Sequence, residues 1–560
     1  MSDELFRRSW RPAGSGCQNH GAPLTAAATE SAKEPSGPAA AVAPFARFLE
    51  SKDAAEIVAA HAEVIAALSL PKAKVSLAQL GELLKPSLPH RCRQLLGALE
   101  ARAAHPQYTK QRQRGTRSVM AVAVVGAGPA GLRIAIELAL AGSRVDVFEG
   151  RDGFSRLQVL HLWEWVEVDL AEIGVKIIDP SIFAATDKRR CTTSQLQHSL
   201  LKVALLLGVR VHFSCRVDTV ARLTEVLGGS GMGGSGLDCL IDASGARCAL
   251  LDSLGFSQVV AFRSARALCI VISLVNGKTS DELGARESSW AQQFYQAEFA
   301  ALRGAGVDLE NLVYYRSSGA FCASPTHYFV MTTDGAALHA FGALRELQVA
   351  SAAELCAPPN VDADQLEAYA RLAIKAFVPP LAGLPLAAGQ LSLFDFSERK
   401  QSNVAATVLP PGDASFGRPD SCCLVTRVGD ALQEPFWPEG LGINRGFLGI
   451  LDCADLVQGA ASLLLRPLGQ PHAAVGEFEA LLRRREELFA LAKRLSGTNR
   501  QTELKPHLDA GRRYCYAIDP RTRYMSWRGS PVVAPPSADR GGKVSASGPR
   551  MAFHVDVVRT

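Results

Sequence analysis

Gly126, Gly128 and Gly131, followed by an acid at Glu149, stand at the spacing that binds a dinucleotide. Gly126 permits a sharp turn, Gly128 lets the backbone approach a pyrophosphate, and Gly131 lets a helix pack closely on the preceding strand. That helix would aim its positive end at the phosphates. Glu149 lies about 20 residues beyond the glycines, where a carboxylate accepts hydrogen bonds from an adenosine ribose and disfavours a 2′-phosphate. FAD or NAD therefore fits better than NADP. Glycines at this spacing also occur in ordinary turns of parallel sheets, but AVAVVGAGPAGLRIAIELALAGSRVDVFE (121–149) supplies strand, turn, helix, second strand and terminal acid in the required order.

A second candidate group lies far downstream. Asp430 closes the strand-like LVTRVGD, and a loop with Gly440, Gly442 and Gly446 then leads into an apolar helix. In a flavoprotein such an Asp accepts from ribitol hydroxyls, and the helix end stabilises negative charge at the reduced ring's N1 and C2 oxygen. Without a flavin the same residues make a plain strand-to-helix turn. Trp437, between Pro435 and Pro438, either fills a core or stands in a site.

The elements that must position these residues set the domain pattern. Residues 1–44 are rich in Ala, Pro, Gly and Ser and are expected to be disordered. Apolar residues at helical spacing from Phe45, punctuated by Pro71, Pro86 and Pro89, predict a small helical unit, which with the basic linker of Lys110, Arg112, Arg114 and Arg117 covers 45–117. Residues 118–260 form the first part of a dinucleotide domain, with a flexible GGSGMGGSG loop from Gly228. Separated strands (ALCIVISLV, NLVYYR, HYFVMTT) with helices between them predict an inserted mixed α/β substrate domain over 261–405. The dinucleotide domain resumes over 406–470, a helical segment covers 471–527, and 528–560 is a disordered tail. The fold class is α/β, a Rossmann-type domain with a mixed-sheet insertion and an N-terminal helical unit.

Composition narrows the function classes. Across 560 residues, 60 basic and 55 acidic side chains leave a formal charge of +5, too balanced for a dedicated nucleic-acid binder. The 13 cysteines show neither a disulfide framework nor zinc-ligand spacing. They read as reduced thiols, and with no signal-peptide core and no apolar run expected to span a bilayer, the expectation is a soluble cytoplasmic protein.

VVGAGPAGLRIAIEL, FSRLQVLHLW, QLQHSLLKVALLLGV, VDLENLVYY, THYFVMTT and EPFWPEGLGINRGF, in this order, resemble the flavin monooxygenase domain of the MICAL proteins, a fold similar to para-hydroxybenzoate hydroxylase. The resemblance runs from about Phe45 to Tyr524. It implies FAD bound by Gly126, Gly128, Ala130, Gly131, Glu149, Arg151, Arg156, Leu157, Gln158, Val217, Tyr328 and Asp430, of which Ala130 and Val217 offer only backbone or packing. It implies catalytic positions at Trp437 and Gln158. It further implies NADPH as electron donor, dioxygen as co-substrate, F-actin methionine as substrate with the sulfoxide as product, a cytoskeletal association, and hydrogen peroxide as the uncoupled product. A thioether is itself nucleophilic, so no acid–base triad is needed. His161 and Trp163 are expected on an apolar helix face as packing. Lys188, Arg189 and Arg190 could meet acidic actin but also suit a solvated loop.

The sequence departs from the family at several points. Gln158 stands in place of Asn, Ser194 in place of a basic residue, and Glu439, Leu441 and Asn444 in place of small or apolar residues. These changes predict weakened catalysis, a missing flavin-side charge, and an altered flavin edge with a shifted substrate choice. The stretch after Trp527 is too short for calponin-homology or LIM domains, so regulation by them is not expected. A small-molecule aromatic hydroxylase, a peroxide-producing NADPH oxidase, and a flavin-fold scaffold with impaired catalysis are the alternatives.

Overall fold

The computed structural model describes residues 37–70, 76–106, 108–109, 119–182, 190–229, 236–246, 249–263, 268–317, 325–349, 351–413, 415–435, 442–466, 473–493, 507–508 and 514–515. Its largest sheet runs, in spatial order, β14 (Ala406–Leu409), β15 (Cys423–Arg427), β6 (Cys239–Asp242), β1 (Ala121–Val125), β2 (Arg144–Phe148) and β5 (Arg210–His212). Only the edge strand β14 is antiparallel. A strand reading AVAVV is buried on both faces, as a parallel sheet covered on both sides requires. Val122 and Val124 join Leu132, Leu200 and Phe447 of helices Pro129–Leu140, Thr193–Leu206 and Gly442–Leu464. Ala121, Ala123 and Val125 join Leu223 and Leu227 of helix Val220–Gly229. With β2 on one side of β1 and β6 on the other, the C-terminal edge of β1 is the crevice where doubly wound sheets bind ligands.

The chain leaves this domain along β7 (Gln258–Arg263) and returns along β13 (Glu398–Ser402), which pair antiparallel as a stalk. The edges expected at 261 and 405 fall in or just beyond these strands. Between them, β12 (Leu386–Asp395), β8 (Leu268–Val275), β11 (Thr326–Thr333), β10 (Asn311–Ser317) and β9 (Ser288–Ala291) form a five-stranded antiparallel sheet in that order. Strand alternation sets its two faces. Tyr314, Phe329 and Met331 pack with Tyr369 and Ala370 of helix Ala363–Phe377, while Tyr315 and Tyr328 take the opposite face.

Helices Pro38–Glu50, Ala54–Ala67, Leu77–Leu84 and His90–Ala103 form the N-terminal region, with Asp53 and a Ser76–Gln79 capping box starting two of them. Their Phe45, Phe48, Leu95 and Leu96 belong to the same hydrophobic cluster as Val122, so this region shares the dinucleotide domain's core. Buried polar groups join the two. Lys202 Nζ donates to the carbonyls of Leu49 and Ser51 at 2.6 and 2.7 Å. Arg133 pairs with Glu137 and Asp169, each at 2.8 Å, and Tyr108 donates to Glu137.

Several expectations change. Disorder is expected through residue 44, but the first helix begins at Pro38, because a proline suits a helix start and the following alanines favour helix and bury Ala41. Residues 1–36, the basic linker from Lys110 to Arg117, residues 230–235 of the glycine loop and the tail 528–560 lie outside the described residues. Helix Gly442–Leu464 is long and apolar enough to cross a membrane by composition, contrary to the expectation of no such run, yet 78% of its apolar window is buried, as in a core helix. Within the segment expected to be helical, helix Glu479–Lys493 is followed by an antiparallel pair of His507–Leu508 with Tyr514–Cys515.

Candidate functional site

The three glycines of the turn do different work. Gly126 has φ +106°, and a Cβ on it would lie 2.4 Å from the Ala243 carbonyl oxygen. A Cβ on Gly131 would lie 1.9 Å from the Gly126 carbonyl oxygen. Both glycines are therefore demanded by the fold itself. A Cβ on Gly128 would meet nothing within 4 Å, so its backbone faces open space at the start of helix Pro129–Leu140. That cradle, with the unbonded amides of a helix N-terminus beside it, fits the pyrophosphate of FAD.

Ala127, inside the turn, is pinned at both ends of its residue. Its N–H donates to Glu149 Oε2 at 2.9 Å, and its carbonyl accepts from Gln197 Nε2 at 3.0 Å. Sequence reasoning missed Gln197, although a buried amide on an otherwise apolar helix face was the available signal. Glu149 Oε1 accepts from the Arg151 N–H and Nε, and Oε2 also accepts from the Arg151 guanidinium at 3.2 Å. Burial works against ionisation of Glu149, but these bonds outweigh it and hold the carboxyl below its ordinary range. With its lone pairs engaged, Glu149 can accept from a ribose only as the half-exposed Arg151 yields.

The stretch from Phe154 to Gln158 lies against the N-terminus of helix Thr193–Leu206. The N–H groups of Thr193 and Ser194 donate to the carbonyls of Gln158 and Arg156, both at 2.9 Å, and Ser194 Oγ donates to the Phe154 carbonyl at 2.9 Å. Ser194 is thus a clamp on this segment. Gln195 completes a capping box with Thr192 and donates to Asp179 at 2.6 Å. Leu157 and Gln158 are half-buried and Arg156 is exposed.

The Val-Gly-Asp corner is built on Gly429, at φ +63°, where a Cβ would approach the Ala130 Cβ to 2.9 Å. This close approach joins the corner to the glycine-turn helix. Burial raises the Asp430 carboxyl, and the positive charges of Arg156 and Arg445 pull it back. Burial likewise raises the Tyr328 phenol far above its ordinary value, with Arg156 again opposing. Arg156, Asp430 and Tyr328, from three separate parts of the chain, therefore share one electrostatic neighbourhood. Behind the corner, Arg427 and Asp242 form a fully buried pair at 3.3 Å, and Arg485 donates to the Arg427 carbonyl.

On the inserted sheet, Tyr328 stacks on Tyr315 with centroids 6.4 Å apart, and Arg190 lies 4.0 Å over the Tyr315 ring while pairing with Glu287 at 2.9 Å. Val217 sits in the hydrophobic cluster of Val125 and Phe148, as a packing residue. His161 and Trp163 are not on a helix face: His161 ends β3 (Val159–His161), drawn into a strand by its pairing with β4 (Arg190–Thr192), and Trp163 caps helix Glu164–Glu172. Asn444, expected at the flavin edge, is fully buried with its amide bonded to the backbone of His161 and Trp163. Trp437, with Glu439, Gly440 and Leu441, lies outside the described residues, as do Lys188 and Arg189.

The family model described as "Mical, Rossman domain" matches residues 266–387. That interval is the antiparallel insertion, whereas the Rossmann-type strands begin at Ala121. The chain is 35% identical over 449 residues, 76% of its length, to "[F-actin]-monooxygenase Mical" of Drosophila melanogaster, covering 8% of that protein. It is 32% identical over 508 residues, 86% of its length, to human "[F-actin]-monooxygenase MICAL1", covering 42% of it. It is 33% identical over 455 residues, 78% of its length, to zebrafish (Danio rerio) "Protein-methionine sulfoxide oxidase mical3a", covering 21% of it. The chain thus spans less than half the length of each of these relatives. A solved structure of 2-methyl-3-hydroxypyridine-5-carboxylic acid oxygenase overlaps with a TM-score of 0.43 at 16% identity, covering 71% of this chain and 99% of that one, a likeness too low to bear on function.

Proposed function

Over 76% of its length this chain is a relative of the MICAL monooxygenases, and from that premise we propose that it is an FAD-dependent monooxygenase that consumes NADPH and oxidises protein methionine, with F-actin as substrate and hydrogen peroxide as uncoupled product. The observation that carries the reading is the close approach of Gly429 to Ala130, which brings the Val-Gly-Asp corner beside the glycine-turn helix and supports one flavin site shared by Gly128 and Asp430. Bound there, FAD would supply the redox chemistry, passing electrons from NADPH to dioxygen, one atom of which goes to the substrate.

The chain's own residues bind, orient and exclude water. Gly128 and the first turn of helix Pro129–Leu140 hold the pyrophosphate. Glu149 would accept from the adenosine ribose in place of its bonds to the Arg151 guanidinium. Because Glu149 disfavours a 2′-phosphate, the glycine turn suits FAD, and NADPH is left to approach from elsewhere. Asp430 accepts from the ribitol chain, and Arg156 and Arg445 favour the ionised form this requires. Leu157, Gln158 and Tyr328 would line the ring. A methionine sulfur needs no proton removed before it reacts, so neutral phenols make a suitable wall, and burial keeps both Tyr315 and Tyr328 protonated.

On the family resemblance alone, we assign Trp437 to substrate oxidation. Trp437→Ala should retain FAD and NADPH oxidation while losing most oxygen transfer to actin; undiminished actin oxidation would refute the assignment. We place the activity in the cytoplasm beside the cytoskeleton, where its substrate lies; nine described cysteines are free thiols, which suits a reducing compartment.

The deciding experiment measures NADPH consumption by the FAD-loaded protein with and without F-actin, followed by mass spectrometry of actin peptides. Turnover accelerated by actin, with one oxygen gained on a methionine, supports the reading. Turnover stimulated by a small phenol and indifferent to actin would make the protein an aromatic hydroxylase, and peroxide release without any oxygenated product would make it an oxidase.

A further inference from the structure

Asn444 lies in the first turn of helix Gly442–Leu464 with no exposed surface. Its Oδ1 accepts from the Trp163 N–H at 2.8 Å, and its Nδ2 donates to the His161 carbonyl at 3.0 Å, across 281 residues or more of sequence. A carbonyl and an N–H two residues apart on one edge of an extended segment are what a neighbouring strand would bond. A primary amide offers the matching donor and acceptor on one planar group. Alanine offers neither, and aspartate only the acceptor.

The same segment is gripped at its other end. Thr193 donates to the Gln158 carbonyl through both its N–H and its hydroxyl, and Ser194 N–H donates to the Arg156 carbonyl. Between the two grips, β3 pairs with β4 through Val159 with Thr192, Leu160 with Cys191 and His161 with Arg190. The stretch 156–163 is thus fixed along its backbone, and Arg156, whose charge acts on Asp430 and Tyr328, projects from it. Burying an amide is costly unless both its ends are bonded, and here both are.

We propose that Asn444 is a positioning residue for the monooxygenase reaction: its amide locks the far end of the 156–163 segment to the helix beside the Val-Gly-Asp corner, so that Arg156 and Gln158 keep one placement toward the flavin. This rests on the flavin reading above for its catalytic consequence, but not for the lock itself. The family departure at residue 444 then acts through the backbone it holds, not through a new group presented to substrate.

Two readouts on Asn444→Ala and Asn444→Asp separate the lock from the flavin reading. Hydrogen exchange of the flavin-free protein should show the Trp163 amide exchanging about tenfold faster in Asn444→Ala. Asn444→Asp, which keeps the acceptor, should retain its protection. In the FAD-loaded protein, Asn444→Ala should keep FAD and its KM for NADPH while kcat for oxygen transfer falls about tenfold and the peroxide share rises, with Asn444→Asp between it and the wild type. Unchanged exchange in Asn444→Ala would overturn the lock whether or not the protein binds flavin. Faster exchange with unchanged kcat and peroxide share would overturn the positioning role. A wild type that binds no FAD would sink the proposed function, and the exchange result would still decide the lock.

Discussion

The glycine turn and the Val-Gly-Asp corner touch at Ala130 and Gly429, yet different forces hold them. At the turn, backbone presses on backbone: Gly126 against Ala243, and Gly131 against Gly126. At the corner, buried charge fixes position. Arg427 pairs with Asp242 at 3.3 Å, reaches Asp252 at 3.2 Å, and lies 5.1 Å over the Phe256 ring, while its carbonyl accepts from Arg485. Close packing writes itself into local sequence, because only glycine fits. A buried charge network joins residues far apart in the chain, and its members look like ordinary surface residues in the sequence.

The sharpest break of this comparison is at Arg427. Arg427→Met leaves Asp242 buried with only its Ser244 bonds, and should cost about 4 kcal/mol of stability in denaturant unfolding. A loss below about 1 kcal/mol would mean that the corner is not held by charge.

At the turn, Gly131→Ala should cost about 3 kcal/mol, because the new methyl meets a carbonyl that the helix cannot move away from. Gly128→Ala should leave the melting temperature unchanged and weaken FAD binding about tenfold, since the added methyl meets no protein atom and would intrude on a ligand. Equal effects of the two substitutions on stability would erase the distinction between fold-demanded and ligand-demanded glycines.

Acid should act mainly on the side of the N-terminal helices. Burial lowers His61 and His198 from 6.5 to about 4. Both are held neutral in the folded state, so their contribution to stability is complete above pH 6.5 and is lost as pH falls through about 4. Asp242 runs the other way: burial raises its carboxyl, and its protonation on acidification favours the folded state. Exchange protection should therefore fall first in helices Pro38–Glu50 and Ala54–Ala67 between pH 6.5 and about 4. Earlier loss at the corner would reverse the assignment.

The parts legible in the sequence are those whose cause is local. Strand, turn, helix and acid from Ala121 to Glu149 follow from glycine sterics and apolar spacing, and Gly429 and Asp430 from a strand end before a glycine loop. The Asn444 bonds to His161 and Trp163 are not legible, because a helix pattern does not say which distant strand it will meet. The same holds for Gln197 at Ala127, and for the Arg133, Glu137, Asp169 and Tyr108 network that joins the N-terminal helices to the glycine-turn helix. HLW reads as helix in the sequence because three residues carry no period, and the pairing of His161 with Arg190 that ends this reading is non-local. The leader's edge is misplaced because proline and alanine, which depress core-forming potential, also start and propagate helices.

The central claim is that one flavin is gripped between the glycine turn and the Val-Gly-Asp corner. Titration of the flavin-free protein with FAD, followed by flavin fluorescence and absorbance, tests it most directly. The expected result is saturation at one FAD per chain for the wild type and a marked loss of affinity in Asp430→Ala. A wild-type protein that stays colourless at saturating FAD, or an Asp430→Ala variant that binds it unchanged, would contradict the claim.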